Sequence, residues 1–311
     1  MGFDLDALRA AVATHGRVVR VVIAAIEGSS PREVGAAMLV WESGQSGTIG
    51  GGALEFQAAT EARRSKADRL SRHALGPELG QCCGGRITLL QEVYDQPRLE
   101  TLTGEVIARP VDGSDMPLAV KRTLARARSQ GEAPQTELIQ GWFIEPLHRP
   151  QQALWIWGAG HVGRALVTTL APLPNLAITW VDTAPERFPD PLPKGVTALP
   201  AAKPEVLAAH APRDAQHLIL TYSHALDLAL CHALLSHGFA RCGLIGSQTK
   251  WARFRARLQD LGHQLASISR IECPIGDPTL GKHPQAIAIG VVRDILTKTE
   301  RKTPQLKGKT G

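Results

Sequence analysis

The segment Gly158-Ala159-Gly160-His161-Val162-Gly163 constrains this chain more than any other. It fits G-x-G-x-x-G, and it sits in the context where that pattern implies a fold. An apolar strand-like run, LWIW, precedes it, and the helical run VGRALVTTL follows. A second strand-like run, AITWV, ends at Asp182, 22 residues beyond Gly160. A dinucleotide-binding turn places its acidic residue about 20 residues on. The expected roles are distinct. Gly158 makes the tight turn, Gly160 lets the backbone approach a diphosphate, and Gly163 lets the helix pack on the strand. The N–H groups at the helix start face an anion. Asp182 is placed to hydrogen-bond a ribose and to disfavour a 2′-phosphate.

The rest of the second half continues this rhythm. Strands are expected at 153–157, 177–181, 216–222 and 241–245, and helices at 161–170, 204–210, 225–237, 248–261 and 284–297. Alternating strands and helices predict a doubly wound parallel sheet covered on both faces. Trp155 and Trp157 are two apart on a strand, so they share one face and read as core. A chain of 311 residues has room for two domains. The division expected is an N-terminal domain over 1–148, a Rossmann-like domain over 149–297, and a basic tail over 298–311.

The first half reads as a mixed α/β domain. A helix is expected over 4–14, strands over 17–26, 36–41, 86–93 and near 138–145, and helices over 53–67 and near 117–129. The sequence SGQSG reads as a tight turn after the second strand.

Three segments of this half carry chemistry. Gly50-Gly51-Gly52 joins a strand end to a helix start, which makes an anion cradle. Glu55 in the first turn of that helix suits its dipole. Ser29, Ser30 and Arg32 offer hydroxyls and a guanidinium beside a turn, for a phosphate or simply as a connection. Gln81-Cys82-Cys83 lies between glycine pairs. Adjacent cysteines are poor joint ligands for one zinc. An exposed thiolate there can meet a soft metal or accept and pass on sulfur; the bland alternative is two small buried residues at a turn. In the second half, Ser223, His224 and Asp227 follow a strand, and Gly246, Ser247 and Lys250 follow another. Both sets fall at carboxyl ends of strands, where α/β sheets bind ligands.

Composition removes several classes. The net charge is +6, but the tail from Lys298 holds five cations against Glu300 and accounts for +4 of it. The nearly balanced body argues against nucleic acid. No uncharged run reaches the roughly 20 apolar residues of a membrane span. The N-terminus has neither the apolar core of a secretory signal nor the Ser or Thr expected of a myristoylation site. Five cysteines without a C-x-x-C pair suggest free thiols in a reducing cytoplasm.

Taken in order, GSSPREVGAAMLV, GTIGGGALEFQA, LGQCCGG, WIWGAGHVG, WVDTAPERF, LTYSHALDLAL and GLIGSQTKWARFRARL resemble the xanthine dehydrogenase accessory factor (XdhC/CoxI-like) family. The matching pieces span nearly the whole chain, and the C-terminal CPIG segment departs most from the usual text. The resemblance implies a chaperone that binds the molybdenum cofactor in its molybdopterin form, assists its sulfuration and delivers it to apo xanthine dehydrogenase. A cysteine desulfurase and other molybdenum-cofactor biosynthesis proteins are the further partners implied, and no turnover of its own. On that basis Gly50 to Gly52 would seat the cofactor phosphate, and Cys82 or Cys83 would lie near molybdenum or handle its exchangeable sulfur. A homodimer is expected. The competing expectation is an NAD-dependent oxidoreductase resting on Gly158, Gly160, Gly163 and Asp182, with His224 as acid or base.

Overall fold

The computed structural model describes residues 2–76, 84–150 and 152–300. It forms two compact units, Met1–Arg149 and Pro150–Gly311. No helix among the described residues is long and apolar enough to cross a membrane.

The first unit runs α1 (Leu5–His15), β1 (Val18–Glu27), β2 (Ala37–Trp41), β3 (Gly44–Gly47), α2 (Gly52–Arg64), β4 (Arg69–Ala74), β5 (Arg86–Tyr94), α3 (Gln96–Glu100), β6 (Val106–Pro110), α4 (Leu118–Gln130), β7 (Glu137–Ile139) and β8 (Trp142–Pro146). Five of its strands make an antiparallel sheet in the order β3-β2-β1-β5-β4. The alternation of β1 explains both faces. Val19, Val21 and Ile23 join Leu54, Ala58, Ala59 and Ala62 of α2 in one core. Val22 and Ala24 point the other way, against Phe143 of the three-stranded sheet β6-β8-β7.

That second face holds a buried ion cluster. Arg20 lies directly across from Glu92 in the sheet and donates to it at 3.0 Å, and to Glu145 at 2.7 Å. Arg109 of β6 donates to the same two carboxylates, reaching Glu92 Oε2 at 2.8 Å, and Tyr94 adds a hydroxyl at 3.1 Å. The cluster ties β1 and β5 to β6 and β8, with the Arg20 guanidinium over the Phe3 ring. Removing one partner of such a buried set costs about 3–5 kcal/mol, because the remaining charge is stranded.

Several local expectations need correction. SGQSG is not merely a turn: only two residues reverse the chain, and Gly44–Gly47 pairs with β2 as an edge strand. The strand expected near 138–145 is a hairpin of β7 and β8, with Gln140 at φ 46 and Gly141 at φ 80 between them. The helix over 53–67 stops at Arg64. β4, β6 and α3 lack a sequence period long enough to detect.

The second unit runs β9 (Gln152–Trp157), α5 (His161–Leu170), β10 (Leu176–Asp182), β11 (Val196–Pro200), β12 (Gln216–Ile219), α6 (His224–His237), β13 (Arg241–Leu244), α7 (Gln248–Asp260), α8 (Leu265–Ile268), β14 (Ile271–Glu272) and α9 (Pro284–Glu300). Its six strands are all parallel, in the order β11-β10-β9-β12-β13-β14. Counted from β9 this is 3-2-1-4-5-6, the Rossmann order, with its switch point between β9 and β12. The alternation of β9 feeds two cores. Trp155 and Trp157 pack under α6 and α7, and Leu154 and Ile156 pack under α5 and α9. Cys231 and Cys242 lie in the first of these cores. The segment expected as a strand over 216–222 ends at Ile219, and the helix expected over 204–210 is a 3-10 helix.

Candidate functional site

In the first unit, the folding of β1, β2 and α2 brings the loop after β1 against the loop before α2. A Cβ on Gly50 would strike the Pro31 ring at 2.6 Å, and a Cβ on Gly85 would strike the carbonyl of Ser29. Three segments distant in sequence, 28–32, 47–52 and 84–85, therefore meet. Gly50, Gly51 and Gly52 have φ of 125°, 74° and 67°, a run that residues with side chains resist. Gln81, Cys82 and Cys83 lie outside the described residues; Gly84 and Gly85 follow them directly.

The anion cradle is filled from within. Glu55 turns back from the first turn of α2, and its Oε2 accepts from Thr48 Oγ1 at 2.5 Å, Ile49 N at 3.0 Å and Gly51 N at 3.1 Å. Gly50 N donates to Thr48 Oγ1 at 3.1 Å. The glycine turn binds an oxyanion, and the oxyanion in place is the chain's own. A phosphate here has to displace Glu55. Beside it, Ser30 Oγ donates to the carbonyl of Arg32, and the Arg32 guanidinium faces Glu33 at 3.3 Å.

The second unit repeats the device at its own glycine turn. Gly158, at φ 120°, approaches β12 so closely that a Cβ would meet the Leu220 carbonyl at 2.5 Å. Gly163 packs against the Gly158 carbonyl, and a Cβ on Gly160 would meet nothing within 4 Å. Asp182 is buried at the end of β10. It accepts from Ala159 N at 2.5 Å and Thr183 N at 2.6 Å, and pairs with Arg187 at 3.3 Å. Its carboxylate thus closes the glycine turn on itself.

Next to this turn, at the carboxyl ends of β12 and β13, lies a pocket of about 280 Å³, lined by Thr221, Tyr222, His224, Gly246, Ser247 and Lys250. Ser223 caps α6 by accepting from Leu226 N, and Ser247 caps α7 by accepting from Lys250 N. Asp227, fully buried, accepts from Thr221 N and Oγ1 and from Lys250 Nζ at 2.6 Å. His224 is exposed at the pocket rim. Tyr222 and Arg187 escaped the sequence reading. Their signal is weak: Tyr222 is one aromatic past a strand end, and Arg187 is the fifth residue after Asp182.

The fold and these turns define a two-unit protein, a mixed α/β body followed by a Rossmann unit with a pocket at the carboxyl ends of β12 and β13. Comparison with known proteins gives its family. The model for the XdhC Rossmann domain matches residues 154–295, and that for the XdhC and CoxI family matches residues 11–74. The two together cover about two thirds of the chain, which belongs to the XdhC and CoxI family. An uncharacterized protein, YqeB, of Escherichia coli (strain K12) is 25% identical over 278 residues, which is 86% of this chain and 41% of that protein. The chain thus spans less than half the length of this curated relative. A crystal structure described as a xanthine dehydrogenase from Bacillus halodurans superposes with a TM-score of 0.69 at 21% identity, covering 99% of this chain and 98% of that one. This last likeness is one of fold.

Proposed function

We propose that this protein is a chaperone for the molybdenum cofactor, serving the maturation of xanthine dehydrogenase. It would hold the molybdopterin form of the cofactor, assist its sulfuration and hand it to the apoenzyme, with no turnover of its own. Family membership carries the reading, and the meeting of segments 28–32, 47–52 and 84–85 supports it.

The residues suit the group. The cofactor supplies molybdenum with an exchangeable sulfur, held by a pterin dithiolene that ends in a phosphate. The N–H groups of Ile49 and Gly51 already accommodate the Glu55 carboxylate, so they form a cradle of the right chemistry for that phosphate. Ser29, Ser30 and Arg32 stand beside the cradle as further phosphate contacts. Cys82 and Cys83, which precede Gly84 in the sequence, are the thiols proposed to work near molybdenum or to pass on sulfur received from a cysteine desulfurase. Other cofactor-biosynthesis proteins are the proposed source of the loaded group, and a homodimer is the proposed assembly. The oxidoreductase reading has less support, because the oxygens of Asp182 are bonded to Ala159, Thr183 and Arg187.

The test is a cofactor assay on protein made anaerobically in a host that produces molybdenum cofactor. Near-stoichiometric molybdenum and pterin are expected, with retention or delivery reduced in Cys82→Ala or Cys83→Ala. Neither component above background, together with tight NAD binding and reduction of a substrate, would replace the chaperone by the oxidoreductase.

A further inference from the structure

Helix α4 has the sequence LAVKRTLARARSQ, with four cations and no acidic residue. Lys121, Arg122, Arg126 and Arg128 are all exposed. None of them forms an ion pair among the described residues, and Arg128 donates to the Leu124 carbonyl of its own helix at 3.3 Å. The arrangement works against the helix. Lys121 lies in the first turn, at the positive end of the dipole, and Arg122 and Arg126 stand one turn apart, where like charges repel. Carboxylates approaching from outside would relieve that repulsion.

The packing of α4 fixes which side stays open. Val120, fully buried, and Leu124 seat the helix on Trp142 and Ile144 of β8 and on Val106 and Ala108 of β6. At about 3.6 residues per turn, Arg122, Ala125 and Ser129 then point the opposite way, with Leu118 one turn before Arg122. Leu118 is 61% exposed. An exposed leucine at the head of a row of arginines suits a protein partner, which offers an apolar contact beside a charged rim. Two copies joined through this face would set identical cationic helices against each other across a two-fold axis. Nucleic acid would meet the four charges, but α4 has no aromatic side chain to stack on a base, and Leu118 would face phosphate. Helix α7 is the contrast. Its Arg253, Arg255 and Arg257 are exposed as well, but Asp260 lies in the same helix and no large apolar side chain of that helix stands exposed.

We propose that the outward face of α4 docks an acidic surface of the apoenzyme that receives the cofactor. Carboxylates of the partner lie against Lys121, Arg122, Arg126 and Arg128, and an apolar recess takes Leu118. The identity of the partner rests on the chaperone reading; the place and the charge rest on α4 alone.

The test is biolayer interferometry of the full-length protein against apo xanthine dehydrogenase from a host that makes no molybdopterin. Molybdenum bound to the full-length protein is measured in parallel. Affinity should fall as salt rises. Arg122→Glu combined with Arg126→Glu should weaken binding at least about tenfold, and Leu118→Ala at least about threefold. If the double reversal fails to fold, Arg122→Gln alone should still weaken binding at least about threefold. The same charge change on α7, Arg253→Glu with Arg257→Glu, should leave affinity within about twofold. Unchanged affinity in the α4 variants, or an equal loss in the α7 variant, would overturn the proposal. So would a duplex oligonucleotide that binds more tightly than the apoenzyme and is lost in the same α4 variant. Molybdenum retained without any binding to the apoenzyme would overturn this inference and leave the chaperone reading standing. Neither retention nor binding would remove both.

Discussion

Glu55 and Gly51 are joined by a hydrogen bond of 3.1 Å, from the N–H of the glycine turn to a carboxylate one helical turn later. The same oxygen takes Ile49 N and Thr48 Oγ1, so one side chain satisfies most of the donors ahead of α2. Burial works against this carboxylate. The Thr48 hydroxyl and the two N–H groups outweigh burial, so Glu55 titrates below the usual glutamate range.

Glu55→Ala should therefore destabilise the first unit by about 1 kcal/mol, the typical loss for a helix cap. The wild-type contribution is fully present above the unfolded glutamate value of about 4.3 and fades as pH falls through the lower folded value. The variant should show less of that fading in urea titrations at pH 7 and pH 3. It should also gain a larger stabilisation from added phosphate than the wild type, because the internal oxyanion no longer competes.

Gly163 and Gly160 should respond to the same substitution with different magnitudes. A Cβ on Gly163 meets the Gly158 carbonyl, where backbone cannot step aside, so Gly163→Ala should cost at least about 2 kcal/mol by overpacking. Gly160 has φ −74° and open space around it, so Gly160→Ala meets no clash and should cost no more than about 1 kcal/mol, the loss of a favoured residue at the N-cap of α5. Denaturant melts followed by tryptophan fluorescence report the difference, since Trp155, Trp157 and Trp180 all lie in this unit.

Acid should loosen the second unit before the first. His217 is buried in β12, where its Nδ1 accepts from Trp157 and its Nε2 has no partner among the described residues. Burial, with His237 adding to it, pushes its pKa down to about 3. The unfolded chain takes up that proton near pH 6.5, so stability present above 6.5 falls by up to about 1.4 kcal/mol per pH unit below it. Glu92 behaves in the opposite order. Burial opposes its charge, but Arg109 and Arg20 hold it at about 2, so its contribution persists until pH drops below about 4.3. Hydrogen exchange at pH 7, 5 and 4 should show amides of β9 and β12 losing protection while those of β1 and β5 keep it. His217→Gln should flatten the loss. Equal loss in both units would remove His217 as the cause.

The sequence by itself determined the elements whose signal is local. The run LWIW-Gly158-x-Gly160-x-x-Gly163 announces a strand, a turn and a helix, because apolar period and glycine freedom act over neighbouring residues. The run RVVRVVIAAI over 17–26, rich in β-branched residues, announces a strand for the same reason, while its central place in the sheet came from pairing. Short edge elements were not legible: β3, β11 and β14 owe their pairing to neighbours, not to their own composition. Tertiary structure alone decided which oxygen meets which donor. Arg20 and Glu145 are 125 residues apart, and no spacing rule joins them. Glu55, Asp182 and Asp227 were visible as residues near glycine or strand-end turns, yet only their placement shows each carboxylate turned inward onto a backbone N–H. Hydrogen bonds depend on angles and distances fixed to tenths of an ångström, which packing sets and residue order does not.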